Sequence, residues 1–165
     1  MKHKIYIVVI EDELEVMEAL ISDLEVFESH FPIESANNAE EAKEVIFSII
    51  NQGNKVGLLL ADHILPGQNG VDLLIELHEK DPTHISKKIL VTGQASHHDT
   101  IQAVNHAGLN QYIAKPWTKN QLENAVRKEL TDFVIAHEKD YFSYMPILDT
   151  EKISEAIREN HLTDH

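Results

Sequence analysis

The 165-residue chain contains no cysteine, so disulfides and thiolate chemistry are excluded. No apolar run approaches the roughly 20 residues that a membrane span needs. The opening Met1-Lys2-His3-Lys4 leads into an apolar segment too short for a secretory signal, and no small-residue cleavage site follows. A cytoplasmic location is the default that these absences leave. Basic residues are scarce: 14 Lys and Arg stand against 28 Asp and Glu, a formal charge of −14. Phosphate backbones need clustered Lys and Arg, so direct nucleic-acid binding is not expected. The acidity fits a solvated surface and a protein partner. It extends to the tail, where residues 131–165 carry three Lys and Arg against eight Asp and Glu. No internal repeat or low-complexity segment is visible.

What is present reads as one ordinary domain plus a tail, with 42% hydrophobic and 25% charged residues. The most informative stretch is Leu58-Leu59-Leu60-Ala61-Asp62-His63-Ile64-Leu65-Pro66-Gly67-Gln68-Asn69-Gly70. An apolar run leads into one aspartate, turn chemistry follows, and helical spacing resumes at Val71, Leu73, Leu74 and Leu77. A buried strand that stops at a carboxylate places it at the strand's C-terminal edge, where open α/β sheets bind ligands.

The same alternation runs through the chain. Lys4 to Ile10 is β-branched and apolar, as in a strand buried on both faces. It ends at Glu11-Asp12, and Leu14, Met17, Leu20, Ile21 and Leu24 follow at helical spacing, with Asp12 as the N-cap. Ile33 to Ala36 is a short strand, and Asn37 or Asn38 caps a second helix with Ala42, Val45, Ile46 and Ile49 inward. Val56 to Ala61 is the third strand, and a third helix runs from about Asn69 to Lys80. Lys88 to Val91 is the fourth strand, ending at Thr92. A fourth helix, about His97 to Ala107, carries Ile101 and Val104 and stops at Gly108. Gln111 to Ala114 is the fifth strand, followed by Lys115-Pro116, and Thr118 caps a long last helix. Five β-α repeats predict a doubly wound parallel sheet with right-handed crossovers and helices on both faces. Beyond residue 137 the alternation ends. Thr150 opens a short helix that must pack on the domain, on another copy, or on something outside the chain.

In a parallel sheet the strand ends share an edge, so Glu11, Asp12, Asp62, Thr92 and Lys115 converge. Three carboxylates repel by about 1 kcal/mol per pair in water and several times that when partly desolvated, so a cation is needed. Hard oxygen ligands without His or Cys favour Mg²⁺. Lys115 supplies a mobile positive charge for a phosphoryl oxygen, and Thr92 a hydroxyl donor. This chemistry points to phosphoryl transfer onto Asp62 as nucleophile. Each residue alone has a bland reading: helix-start acids, a turn aspartate, a surface lysine, a strand-end hydroxyl. Their joint placement at one edge outweighs those readings.

The ordered set of Glu11-Asp12, Asp62 with Leu65-Pro66-Gly67 and Gly70, Thr92 and Lys115-Pro116 resembles the receiver domain of two-component response regulators, over about residues 4–130. The resemblance implies a flavodoxin-like five-stranded sheet of order 2-1-3-4-5, with a receiver over 1–130 and a C-terminal helical extension or linker over 131–165. It implies that Asp62 takes a phosphoryl group from a sensor histidine kinase or a phosphotransfer protein. It also implies Mg²⁺ (or Mn²⁺) held by Asp12, Asp62 and the backbone carbonyl of Ile64, with Glu11 assisting. Lys115 would pair with the phosphoryl group, Thr92 would move to bond it, Tyr112 would be the switch aromatic, and Lys115-Pro116 would be a cis peptide.

Departures from the family pattern include Glu-Asp rather than Asp-Asp at the first acidic pair, and Leu65 in place of methionine. Ile64 and Gln94 occupy the positions that tune acyl phosphate hydrolysis, and an apolar Ile64 predicts a fairly long-lived species. His97-His98-Asp99 does not read as a metal site, because adjacent residues on a helix do not face each other. The remaining histidines read as scattered and solvated. The Tyr141–Met145 cluster reads as packing, with a homodimer contact as its functional alternative. The main expectation is a switch that catalyses its own phosphorylation. One alternative is the regulatory N-terminal receiver of a longer signalling enzyme. Another is a small Mg²⁺-dependent phosphatase.

Overall fold

The structure is a computed structural model and describes residues 3–93 and 97–163. Five strands form one parallel sheet: β1 (Ile5–Ile10), β2 (Ile33–Ala36), β3 (Lys55–Ala61), β4 (Lys87–Thr92) and β5 (Gln111–Ala114), in the order β2-β1-β3-β4-β5. The expected topology holds. Successive residues on a strand point to opposite faces, so a strand buried on both sides must be apolar throughout. β1 divides in this way. Ile5, Ile7 and Val9 join one core with Leu58, Leu60, Val91 and Phe133, while Val8 and Ile10 join the other with Leu59, Ala61, Leu90 and Leu74.

The helices are α1 (Leu14–Asp23), α2 (Ala39–Asn51), α3 (Gly70–His78), α4 (His97–Gln102), α5 (Lys119–His137) and α6 (Thr150–Thr163). Caps account for several starts. Asn38 accepts from the Glu41 N–H, Asn69 from the Asp72 N–H and Thr118 from the Gln121 N–H, each satisfying an orphan donor of the first turn. α1 departs from expectation. Glu13, not Asp12, holds its N-cap position and makes no side-chain capping bond. Asp12 instead joins the carboxylates at the sheet edge. Leu14, expected inward, is 71% exposed, and Met17 and Leu20 supply the buried stripe.

The fourth helix also differs. α4 gives way to a π-helical turn over Ala103–Ala107. Ala103 and Ala107 are the buried residues, while Ile101 and Val104 face outward. The small alanines let this turn lie close to α3. It ends at Gly108, whose positive φ of 64° permits the 3.2 Å bond from the Leu109 N–H back to the Ala103 carbonyl.

α5 runs unbroken across residues 130 and 131 to His137. The segment after it folds back onto the domain. Leu148 and Ile153 are buried in the same core as Phe27 and Phe31, and Tyr144 stacks on Phe31 with ring centroids 5.2 Å apart. The Tyr141–Met145 cluster therefore packs within the chain, although Phe142 remains outside. No helix among the described residues is long and apolar enough to cross a membrane.

Candidate functional site at the C-terminal edge of the sheet

Backbone hydrogen bonds assemble the site. Ile10 pairs with Ala61 across β1 and β3, and the Asp62 N–H continues the ladder to the Ile10 carbonyl at 3.0 Å. The Glu11 N–H is held by the Ala36 carbonyl at 3.0 Å. Glu11 and Asp62 are thus neighbours by register. On the far side Thr92 pairs with Ala114, and the Lys115 N–H reaches the Thr92 carbonyl at 3.3 Å. Lys115-Pro116 is cis as expected, and so is Asp81-Pro82. Gly70 is required behind Asp62, because a Cβ there would lie 1.8 Å from the Asp62 carbonyl oxygen.

Each of Glu11, Asp12 and Asp62 offers a carboxylate oxygen, and these atoms lie within 4.8 Å of one another. Glu11 and Asp62 are buried and Asp12 is exposed. The Lys115 ammonium reaches into the cluster, 2.6 Å from Glu11 Oε1 and 3.0 Å from Asp62 Oδ2. Burial alone would lower the Lys115 pKa, but its bonds to Glu11 and Asp62 more than offset this and raise it. Glu11 is also raised: burial and the adjacent Asp62 outweigh the bond from Lys115. One ammonium therefore undercompensates three carboxylates. A second cation fits this donor set, which is hard, oxygen-only and open to solvent at Asp12.

Thr92 is buried, and its backbone carbonyl accepts a 3.1 Å bond from the Tyr112 hydroxyl, so the two expected switch residues are in contact. Ile64 is 49% exposed beside the site, and its N–H donates to Asp62 Oδ1 at 3.4 Å. Gln94 lies outside the described residues.

A family model for the response regulator receiver domain matches residues 7–127. The chain belongs to this family. It is 31% identical over 122 residues to the hydrogenase transcriptional regulatory protein HoxA of Cupriavidus necator, covering 74% of this chain and 23% of that protein. It is 32% identical over 92 residues to the transcriptional regulatory protein DcuR of Escherichia coli, covering 56% of this chain and 36% of the relative. The chain thus spans between about a quarter and a third of these relatives' lengths. Among solved structures, a CheY-like response regulator receiver domain protein from Methanospirillum hungatei superposes with a TM-score of 0.67 at 28% identity, covering 80% of this chain and 97% of that one. The signal receiver domain of an HD domain-containing protein from Pseudomonas fluorescens gives 0.72 at 22% identity, over 85% and 96%, a likeness of fold.

The receiver is thus flavodoxin-like with a C-terminal helix, as the family resemblance implies. Two groups escaped sequence reading. His63, expected to be solvated, is buried and pairs with Asp99. Lys88 is buried too, and its ammonium donates to the carbonyls of Thr83, His84 and Ser86. Burial pushes its pKa down to about 8. Nothing in the spacing of either residue signals its surroundings.

Proposed function

We propose that Asp62 is the phosphoacceptor of this receiver and that its reaction depends on a divalent cation. A carboxylate oxygen of Asp62 attacks the phosphorus of a phosphohistidine on a sensor histidine kinase or a phosphotransfer protein. The P–N bond breaks, imidazole leaves with the electron pair, and an acyl phosphate forms on Asp62. The observation that carries this reading is the Lys115 ammonium held 3.0 Å from Asp62 Oδ2 inside a three-carboxylate cluster. Asp12, Asp62 and the Ile64 carbonyl would hold Mg²⁺ (or Mn²⁺), with Glu11 assisting. When bound, the ion supplies positive charge that offsets carboxylate and phosphoryl repulsion.

Lys115 then exchanges a carboxylate for a phosphoryl oxygen. The Thr92 hydroxyl moves to bond the phosphoryl group, which carries about −1.5 to −2 charges, and Tyr112 follows through its contact with Thr92. Water later hydrolyses the acyl phosphate, and Ile64, apolar at the rim, slows its approach. The relatives' names favour gene regulation as the output and do not favour a signalling enzyme. A cytoplasmic location and a homodimer belong to the same proposal.

The test is incubation with acetyl phosphate and Mg²⁺, followed by intact mass measurement. One phosphoryl group per chain is expected, none after chelation and none in Asp62→Asn. Steady turnover of small phosphomonoesters instead would favour a phosphatase.

A further inference from the structure

His63 follows the phosphoacceptor directly, yet its side chain leaves the acidic pocket and is nine-tenths buried. Its Nε2 lies 3.2 Å from Asp99 Oδ2 on α4, and a carboxylate at that distance makes Nε2 the donor. Its Nδ1 is buried with no hydrogen-bond partner among the described residues. A polar ring placed there at that cost requires a compensating role.

The backbone on the His63 side is fixed. Its carbonyl accepts the Gly70 N–H at 2.8 Å, and Gly70 lies directly against the Asp62 backbone. The far end of α4 is fixed as well, since Ala103 and Ala107 of the following π-helical turn are fully buried. The near end of α4 is joined to Thr92 by only a few residues. A movement of Thr92 toward a phosphoryl group on Asp62 would be resisted where it reaches this near end, which Asp99 holds to His63.

We propose that His63 is a positioning residue: through Asp99 it latches α4 to the phosphoacceptor strand while Asp62 carries no phosphoryl group. The latch opposes the phosphorylated arrangement and sets how readily the receiver switches. It rests on Asp62 being the phosphoacceptor. A pairing present in only one of two states lowers affinity for a ligand that selects the other, by the fraction of chains in the competent state.

The test uses beryllofluoride with Mg²⁺ as a non-covalent phosphoryl stand-in. Affinity is read from the fluorescence of Trp117, the chain's single tryptophan. Asp99→Ala and His63→Leu, each of which removes one partner of the bond, should each bind about two- to fivefold more tightly than the unaltered protein, the range for a partly exposed polar pair. The double variant should gain no more than the larger single effect. Asp99→Ala changes a partly exposed side chain and carries the test if His63→Leu does not fold. Unchanged or weaker binding in Asp99→Ala, or independent effects that multiply in the double variant, would overturn the latch. Failure of the unaltered protein to bind beryllofluoride would overturn the phosphoacceptor reading and the latch with it.

Discussion

Lys115 stands between two demands. Its ammonium neutralises Glu11 and Asp62 at 2.6 and 3.0 Å, yet those carboxylates also form the cation site. Removing the lysine removes a competing positive charge. Lys115→Met should therefore bind Mg²⁺ about fivefold to tenfold more tightly, as expected for one charge a few ångströms away in a partly solvated pocket. The same variant should accumulate less acyl phosphate, because the phosphoryl oxygen loses its ammonium partner. Calorimetric titration with Mg²⁺ checks the first effect and intact mass the second; weaker Mg²⁺ binding would contradict the assignment. The pH dependence follows from Glu11. Its raised pKa means that the folded chain holds this proton more tightly than the unfolded chain does. The group therefore favours folding at acid pH, and that preference fades as pH rises through the raised pKa. Mg²⁺ affinity must run the other way, increasing as Glu11 ionises. At this scale the sequence pointed to all three carboxylates, Thr92 and Lys115 because each sits at the end of a legible strand, whereas Tyr112, inside β5, came only from the family resemblance. It missed the His63–Asp99 pair, because a histidine beside an aspartate carries no periodicity and Asp99 is brought to it only by the path of α4.

Among the elements, the strands were the most legible, since unbroken apolar runs have few other solutions in a chain of alternating β and α. The helix after β4 was the least. Its Ile101 and Val104 invited an inward stripe, but the π-helical turn and the alanines at 103 and 107 place the contact with α3 elsewhere. α6 is the element whose contribution to the fold is most open to measurement. One short amphipathic helix does not hold itself together. Here Ile153 on the helix and Leu148 just before it enter the core, and Asp132 of α5 pairs with Lys152. Leu148→Ala and Ile153→Ala should each cost about 2–4 kcal/mol of stability, the usual range for truncating a buried aliphatic side chain. Chemical denaturation checks this. A loss below about 0.5 kcal/mol would mean that the segment is a tether rather than part of the core.

For the whole molecule, the deciding feature is convergence. Residues 11, 12, 62, 92 and 115 come from four strand ends and meet because every strand of a parallel sheet points its C-terminus to one edge. That much follows from the β-α alternation alone. The chain's fold-back after His137 does not, because its packing depends on the shape of a surface built by α5 and the segment around Phe27 and Phe31. The most direct measurement identifies the reactive carboxylate itself. After incubation with acetyl phosphate and Mg²⁺, borohydride reduction converts an aspartyl phosphate to homoserine, which peptide mass spectrometry locates. Homoserine is predicted at position 62 alone, and only when Mg²⁺ is present. Modification of a different carboxylate, or labelling at Asp62 that persists after chelation, would contradict the account.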